Sequence, residues 1–441
     1  MERRSIVVDR ISDLPEGLVH YIFSFLETKS MVQASILSKK WRYMWMTTPY
    51  LNLNLDTCGK RKKRRFINFV DRVLLFRGSS TVYKFSLCCE EELEADRICT
   101  WLMTVLRRGI QELCLESGSI HPVQLPHDLF TSSITVMKLK SISLCKYVLP
   151  NSVCTNSRIT SLELVRVELP EGNANGELKF SFMVLKNFII RRFNYGDLNS
   201  FTLFAPQLER LEVSNLFGDR DGPTKIDICT PKLISFIYTG YLYGEYFVDN
   251  LQELISAEIY LWECRVLSKE MYPQYIKNLL TAVHSVKKLT ITNTLLKTFA
   301  GFPYLLETVT NSFRNLRIIK LVDWTSSCIR TITSFLERLP LIETFIWSTN
   351  SKVPELGTPD EGDGGENSYS CLKTIKISSC HGNEYELKLL QILLKKSLFL
   401  EEVIIRKSKS STLDLTKFRK FRKKLAKLPQ ASSSVSISYR F

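Results

Sequence analysis

One short pattern recurs along most of this 441-residue chain and restricts its fold more than any other feature. It is an apolar residue, two variable positions, a second apolar residue, one variable position, a third apolar residue and then a polar stretch. It reads Ile110-Gln-Glu-Leu113-Cys-Leu115, Ile134-Thr-Val-Met137-Lys-Leu139 and Ile159-Thr-Ser-Leu162-Glu-Leu164, with later copies centred on Leu211, Leu289, Ile319, Ile375 and Val403. The central residues Leu113, Met137, Leu162, Leu185 and Leu211 are spaced by 24, 25, 23 and 26. Each copy alternates as a short strand that buries every second side chain. One such strand cannot bury its own face, so neighbours stack into a curved parallel sheet. Later spacings stretch to about 30 residues, which predicts irregular repeats. A stripe of leucines also suits the core of another α/β fold; the repeated spacing favours the solenoid.

Ahead of the repeats lies a compact helical stretch. Pro15 suits the opening of a helix, where its missing N–H is not needed. Leu18, Tyr21, Ile22, Phe25 and Leu26 then recur at helical spacing as one apolar face. Thr28 or Ser30 suits the cap of a second helix carrying Met31, Val32, Ile36 and Leu37, and Ser38 that of a third carrying Trp41, Met44 and Trp45. Three short helices make a very small core, so the array or a partner must supply further burial.

These residues carry a resemblance. Ile11-Ser-Asp-Leu14-Pro15-Glu-Gly-Leu18, followed by Ile22, Phe25 and Leu26 and then by Leu37-Ser-Lys-Lys-Trp41-Arg42-Tyr-Met-Trp45, resembles the plant form of the F-box. Pro49 to Asp56 resembles the first strand after it. Leu372 to Ile377, His381 to Leu387 and Leu400 to Ile405 resemble the FBD region that often ends such proteins. The period between them is that of leucine-rich repeats. The resemblance implies an α/β fold: a three-helix F-box (8–54), an irregular leucine-rich-repeat solenoid (80–350) and an FBD-like αβ cap (367–441); between the last two, the Gly/Pro/acidic composition of 355–366 reads as an acidic flexible loop or a disordered insertion.

It also implies a role as the non-catalytic, substrate-recruiting subunit of a Skp1–cullin–F-box ubiquitin ligase. Leu14, Pro15, Leu18, Ile22, Leu26, Leu37 and Trp41 would dock on a Skp1-like adaptor, which joins a cullin–RING ligase. The repeats would hold a protein substrate that the sequence does not identify. The alternative is a repeat-based binding or scaffold protein outside any ligase.

Charge narrows the partners. Of the net +15, Lys60, Arg61, Lys62, Lys63, Arg64 and Arg65 supply +6, and residues 401–441 supply +8 from eleven Lys/Arg and three Asp/Glu. The rest is near neutral, and no nucleic-acid reading element is present, so no nucleic-acid partner is expected. The 60–65 cluster reads as a nuclear-localisation signal or as a solvated connector. Lys417 to Lys427 reads as a helix with Phe418, Phe421 and Leu425 packed and its cations in water. No apolar run approaches the ~18 residues of a membrane span, and no secretory signal opens the chain. An intracellular protein, nuclear, cytoplasmic or both, without a membrane partner is the expectation. Twelve scattered cysteines without a C-x-x-C pair read as small buried side chains, not as metal ligands. No P-loop, G-x-S-x-G or dinucleotide fingerprint occurs, so neither catalysis nor a cofactor is assigned.

Overall fold

The computed structural model describes residues 11–55, 63–143, 145–156, 158–193, 195–215, 225–242, 244–249, 251–262, 271–348, 368–407 and 415–440. The acidic run at 355–366, and Lys60, Arg61 and Lys62, lie outside them. The chain divides into two compact units, Met1–Leu208 and Glu209–Phe441.

The first unit opens with α1 (Glu16–Ser24) and α2 (Thr28–Ala34), with Pro15 as the residue that starts α1. The third helix expected from Trp41, Met44 and Trp45 is a 3-10 turn, Trp41–Tyr43, running into a single α-turn, α3 (Met44–Thr47). All three side chains are buried: Met44 and Trp45 follow Trp41 by three and four residues and so share one side of the turn. Tyr50–Asn54 then begins a parallel ladder that continues through Lys84–Leu93, Glu112–Ser119, Val136–Ser141, Ser161–Val165 and Asn187–Arg191. The first strand of the ladder therefore lies within the 8–54 range read as the F-box.

Pairing sets Leu51, Phe85, Leu113, Met137, Leu162 and Phe188 in one cross-strand row, every member buried. Leu113, Met137 and Leu162 thus occupy equivalent places, as their spacing predicts. Leu185 does not: Phe188 takes the central slot. Leu185 sits three residues before it, as Ile159 sits before Leu162, and is fully buried there. Phe188 belongs to a ring cluster with Phe180, Phe182 and Phe201, with centroids 5.3–6.4 Å apart. A leucine pattern does not mark a slot that an aromatic ring fills.

The polar stretches of these short repeats return the chain through two-residue strands. Val123–Gln124, Tyr147–Val148 and Val167–Glu168 pair into a small parallel sheet of their own. Where the repeat is longer, a helix fills it. Between the first strands stands α4 (Lys63–Phe76), and its Asp71 accepts hydrogen bonds from Arg97 and from the Trp101 indole of the following helix, both at 2.8 Å.

Arg77, just beyond α4, is almost fully buried. Its guanidinium donates to the carbonyls of Trp45 (3.0 Å), Thr48 and Thr81 (3.1 Å). Burial, with Arg108 nearby, lowers its pKa to about 10, so it remains a cation at neutral pH. The cation fastens the end of α3 to the start of the ladder.

In the second unit, parallel pairing aligns Leu211, Phe236, Ala257, Leu289, Ile319, Phe345, Ile375, Val403 and Ile437. Whole helices connect the later strands: Asn293–Gly301 with Pro303–Ser312, then Ile329–Glu337, Glu384–Lys396 and Leu415–Leu425. The stretched spacing of the later repeats has this cause, since a helix rises about 1.5 Å per residue and uses more chain than an extended return. Phe418, Phe421 and Leu425 are buried, with the cations between them outside. The ladder runs directly from Thr344–Ser348 into Thr374–Cys380, so 367–441 continues the same sheet.

Glu386 anchors this end. It is fully buried, and its carboxylate accepts the backbone N–H groups of His381 (3.2 Å) and Asn383 (2.9 Å), closing the first turn of its helix. Glu386→Ala strands the buried N–H of His381 and the half-buried N–H of Asn383 and is expected to cost about 2 kcal/mol, read as a lower urea midpoint. An unchanged midpoint would disprove the anchoring role.

Candidate functional site

The helical stretch at the N-terminus buries one face of α1 and exposes another. Val19 and Phe23 point inward, and the Phe23 ring meets Trp41 edge-on at 5.6 Å. The stripe with the clearer helical periodicity faces out: Leu18 is 51% exposed, Tyr21 63%, Ile22 39% and Phe25 70%. Tyr21 and Phe25 stack edge to face at 4.9 Å, which holds the stripe together. After α2, Ile36 and Leu37 are also exposed, at 86% and 62%.

Polar bonds join the two apolar segments. Ser12 Oγ lies 2.6 Å from Ser38 Oγ, and Lys40 Nζ donates to the Leu14 carbonyl at 2.7 Å. The backbone of the Leu14-Pro15 turn is thereby held beside the Leu37–Lys40 segment. Of the residues singled out from the sequence, Pro15, Leu18, Ile22 and Leu37 are exposed, and Leu14 and Leu26 are half-buried. Trp41 departs from the rest: it is buried against Phe23, and its indole N–H has no partner among the described residues. Tyr21, Phe25 and Ile36 also belong to the exposed set, beyond the seven residues that the F-box resemblance implies. Their helical spacing was legible, but which face turns outward was not.

Contiguous exposed apolar side chains on a small folded unit mark a protein interface. An exposed apolar stripe of this kind is suited to docking on an apolar partner surface. Among the described residues no group of three His, Cys, Asp or Glu side chains could hold a metal ion. No described helix is long and apolar enough to cross a membrane. Of the basic cluster, Lys63, Arg64 and Arg65 form the first turn of α4, with Arg64 and Arg65 exposed.

Residues 11–51 match the F-box domain family. An F-box/FBD/LRR-repeat protein of Arabidopsis thaliana is 30% identical over 315 residues, which cover 67% of this chain and 67% of that protein. The chain belongs to the F-box/LRR-repeat family. An Arabidopsis thaliana F-box/LRR-repeat protein aligns along almost the whole F-box/LRR-repeat chain, 25% identical over 452 residues, 93% of this chain and 90% of the relative. An F-box protein of the same plant is 31% identical over 266 residues, 58% of this chain, and the match spans only 55% of the relative's own length. The outward stripe of α1 thus lies in the matched F-box segment, and the parallel ladder lies in the region shared with the LRR-repeat relatives.

Proposed function

We propose that this F-box/LRR-repeat protein is a substrate-recognition subunit of a Skp1–cullin–F-box ubiquitin ligase, with no chemistry of its own. The observation that carries the reading is the exposed stripe Leu18, Tyr21, Ile22, Phe25 and Leu37 within the F-box match. Pro15, Leu18, Ile22 and Leu37 touch the Skp1-like adaptor directly; Leu14 and Leu26 flank them. Trp41 acts from beneath by holding α1 in place through Phe23. A protein target held on the repeats is then kept at high effective concentration near the charged ubiquitin carrier. The Lys60–Arg65 cluster serves as a nuclear-import signal within this reading.

Co-expression with a Skp1-like protein tests it. The two should co-purify as a stoichiometric complex, and Leu14→Ala/Pro15→Ala should weaken the complex. Wild-type chain that purifies without the adaptor would sink the proposal. A scaffold acting outside any ligase would leave its target's half-life unchanged when the proteasome is blocked.

A further inference from the structure

The second unit carries a cationic sheet face that the first unit lacks in kind. In a strand, successive side chains point to opposite faces. In the last five strands one face is turned to helices. Trp347 meets Trp324, which meets Tyr385 of the helix Glu384–Lys396, and Tyr439 meets Phe418 of the helix Leu415–Leu425. Residues of the opposite parity form the other face, where register aligns Lys320, Ile346, Lys376, Ile404 and Ser438 in one row. Arg406 and Arg440 pair across the next. These side chains are half-buried or exposed. Glu402 is the one carboxylate on this face of the five strands, against four cations. Among the described residues none of Lys320, Lys376, Arg406 and Arg440 has an ion-pair partner.

The equivalent face of the first unit shows what a self-contained arrangement looks like. There Glu116 binds Lys138 at 2.5 Å and Lys140 at 3.2 Å, and Glu163 binds Arg191 at 3.3 Å and Lys138 at 3.9 Å. Its charges neutralise one another across the strands. On the last five strands of the second unit, Lys320, Lys376, Arg406 and Arg440 outnumber Glu402, with Ile346 and Ile404 between them.

We infer that this face, Lys320, Ile346, Lys376, Ile404 and Arg406, binds an extended acidic segment of the protein target. The inference rests on the proposed recruiting role and names the class of substrate. Lys320 and Lys376 stand two strands apart, on the order of 10 Å at the backbone, which is about one three-residue turn of a polyproline-II chain, where every third side chain returns to the same side. The favoured partner therefore presents a carboxylate at about every third position, with an apolar residue between to meet Ile346 or Ile404.

The test uses the full chain co-purified with the adaptor and a fluorescein-labelled peptide of Glu-Gly-Val repeats, with a Lys-Gly-Val peptide beside it. Fluorescence anisotropy should show saturable binding of the acidic peptide only. It should weaken about tenfold in K320E/K376E and again on raising salt, with adaptor capture unchanged. Equal binding by K320E/K376E would overturn the inference. So would loss of binding in K420E/K423E instead, which would move the site to the basic helix. A gain of about tenfold on deleting residues 355–366 would make the chain's own acidic run the occupant and overturn the assignment to a partner. Wild-type chain that captures the adaptor but ignores the peptide defeats this inference alone. Chain that binds the peptide but captures no adaptor defeats the ligase reading alone.

Discussion

Replacing Phe25 and Leu37 together by aspartate is expected to weaken capture of a Skp1-like protein by about a hundredfold or more, with the fold intact. Both side chains already stand in water, at 70% and 62% exposure, so a carboxylate there creates no buried charge in the free chain. In a complex the same carboxylates would be desolvated against an apolar partner. Central apolar anchors contribute about 2 kcal/mol or more each, and about 1.4 kcal/mol is a factor of ten in affinity. Biosensor titration of the adaptor gives the affinity, and circular dichroism checks the fold. A variant that binds within about twofold of wild type would place the interface elsewhere. Val19→Asp makes the contrast: Val19 is fully buried, so that substitution should cost the helical unit its fold and not merely its docking.

Arg77→Met should be the most damaging single change at the joint between the helical unit and the ladder. The side chain volume is roughly kept, but three carbonyls lose their donor: Trp45, Thr48 and Thr81. A buried acceptor left unsatisfied costs about 1–3 kcal/mol, so the joint should lose about 3 kcal/mol or more. Arg77→Lys should recover only part of this, because one ammonium group lacks the planar fork that serves several acceptors. Hydrogen exchange is the direct readout: amides of Thr48 and Tyr50–Asn54 should exchange faster in Arg77→Met. Unchanged exchange there would remove Arg77 from the joint. A weakened joint would leave adaptor capture intact while loosening the F-box from the first repeats, which separates this effect from that of Phe25 and Leu37.

Much of the architecture was legible because it rests on periodicity. The 24- and 25-residue spacing of Leu113, Met137 and Leu162 became adjacent parallel strands in register. Copies whose central residue is aromatic or small, such as Phe188, Phe236 and Ala257, escaped the pattern, since burial in a ladder requires an apolar side chain that fits and not leucine in particular. The Lys417–Lys427 segment was readable as a one-sided helix because phenylalanines three apart share a face. Arg77 was not readable at all. Its role depends on three carbonyls brought together by segments up to 32 residues away.

The sequence by itself determined that strands must recur, where the helical stretch lies and which residues compose its apolar stripe, because local spacing sets which side chains share a face. Only the tertiary structure decided which of the two apolar faces of α1 stays in water, since that choice follows from Phe23 packing on Trp41 across the unit. Likewise, the charge of +15 was countable from the sequence, but pairing was not. Register placed Glu116 beside Lys138 and Lys140 in the first unit and left Lys320 and Lys376 without a carboxylate in the second. Cross-strand neighbours are fixed by chain segments distant in sequence, and no local pattern encodes them.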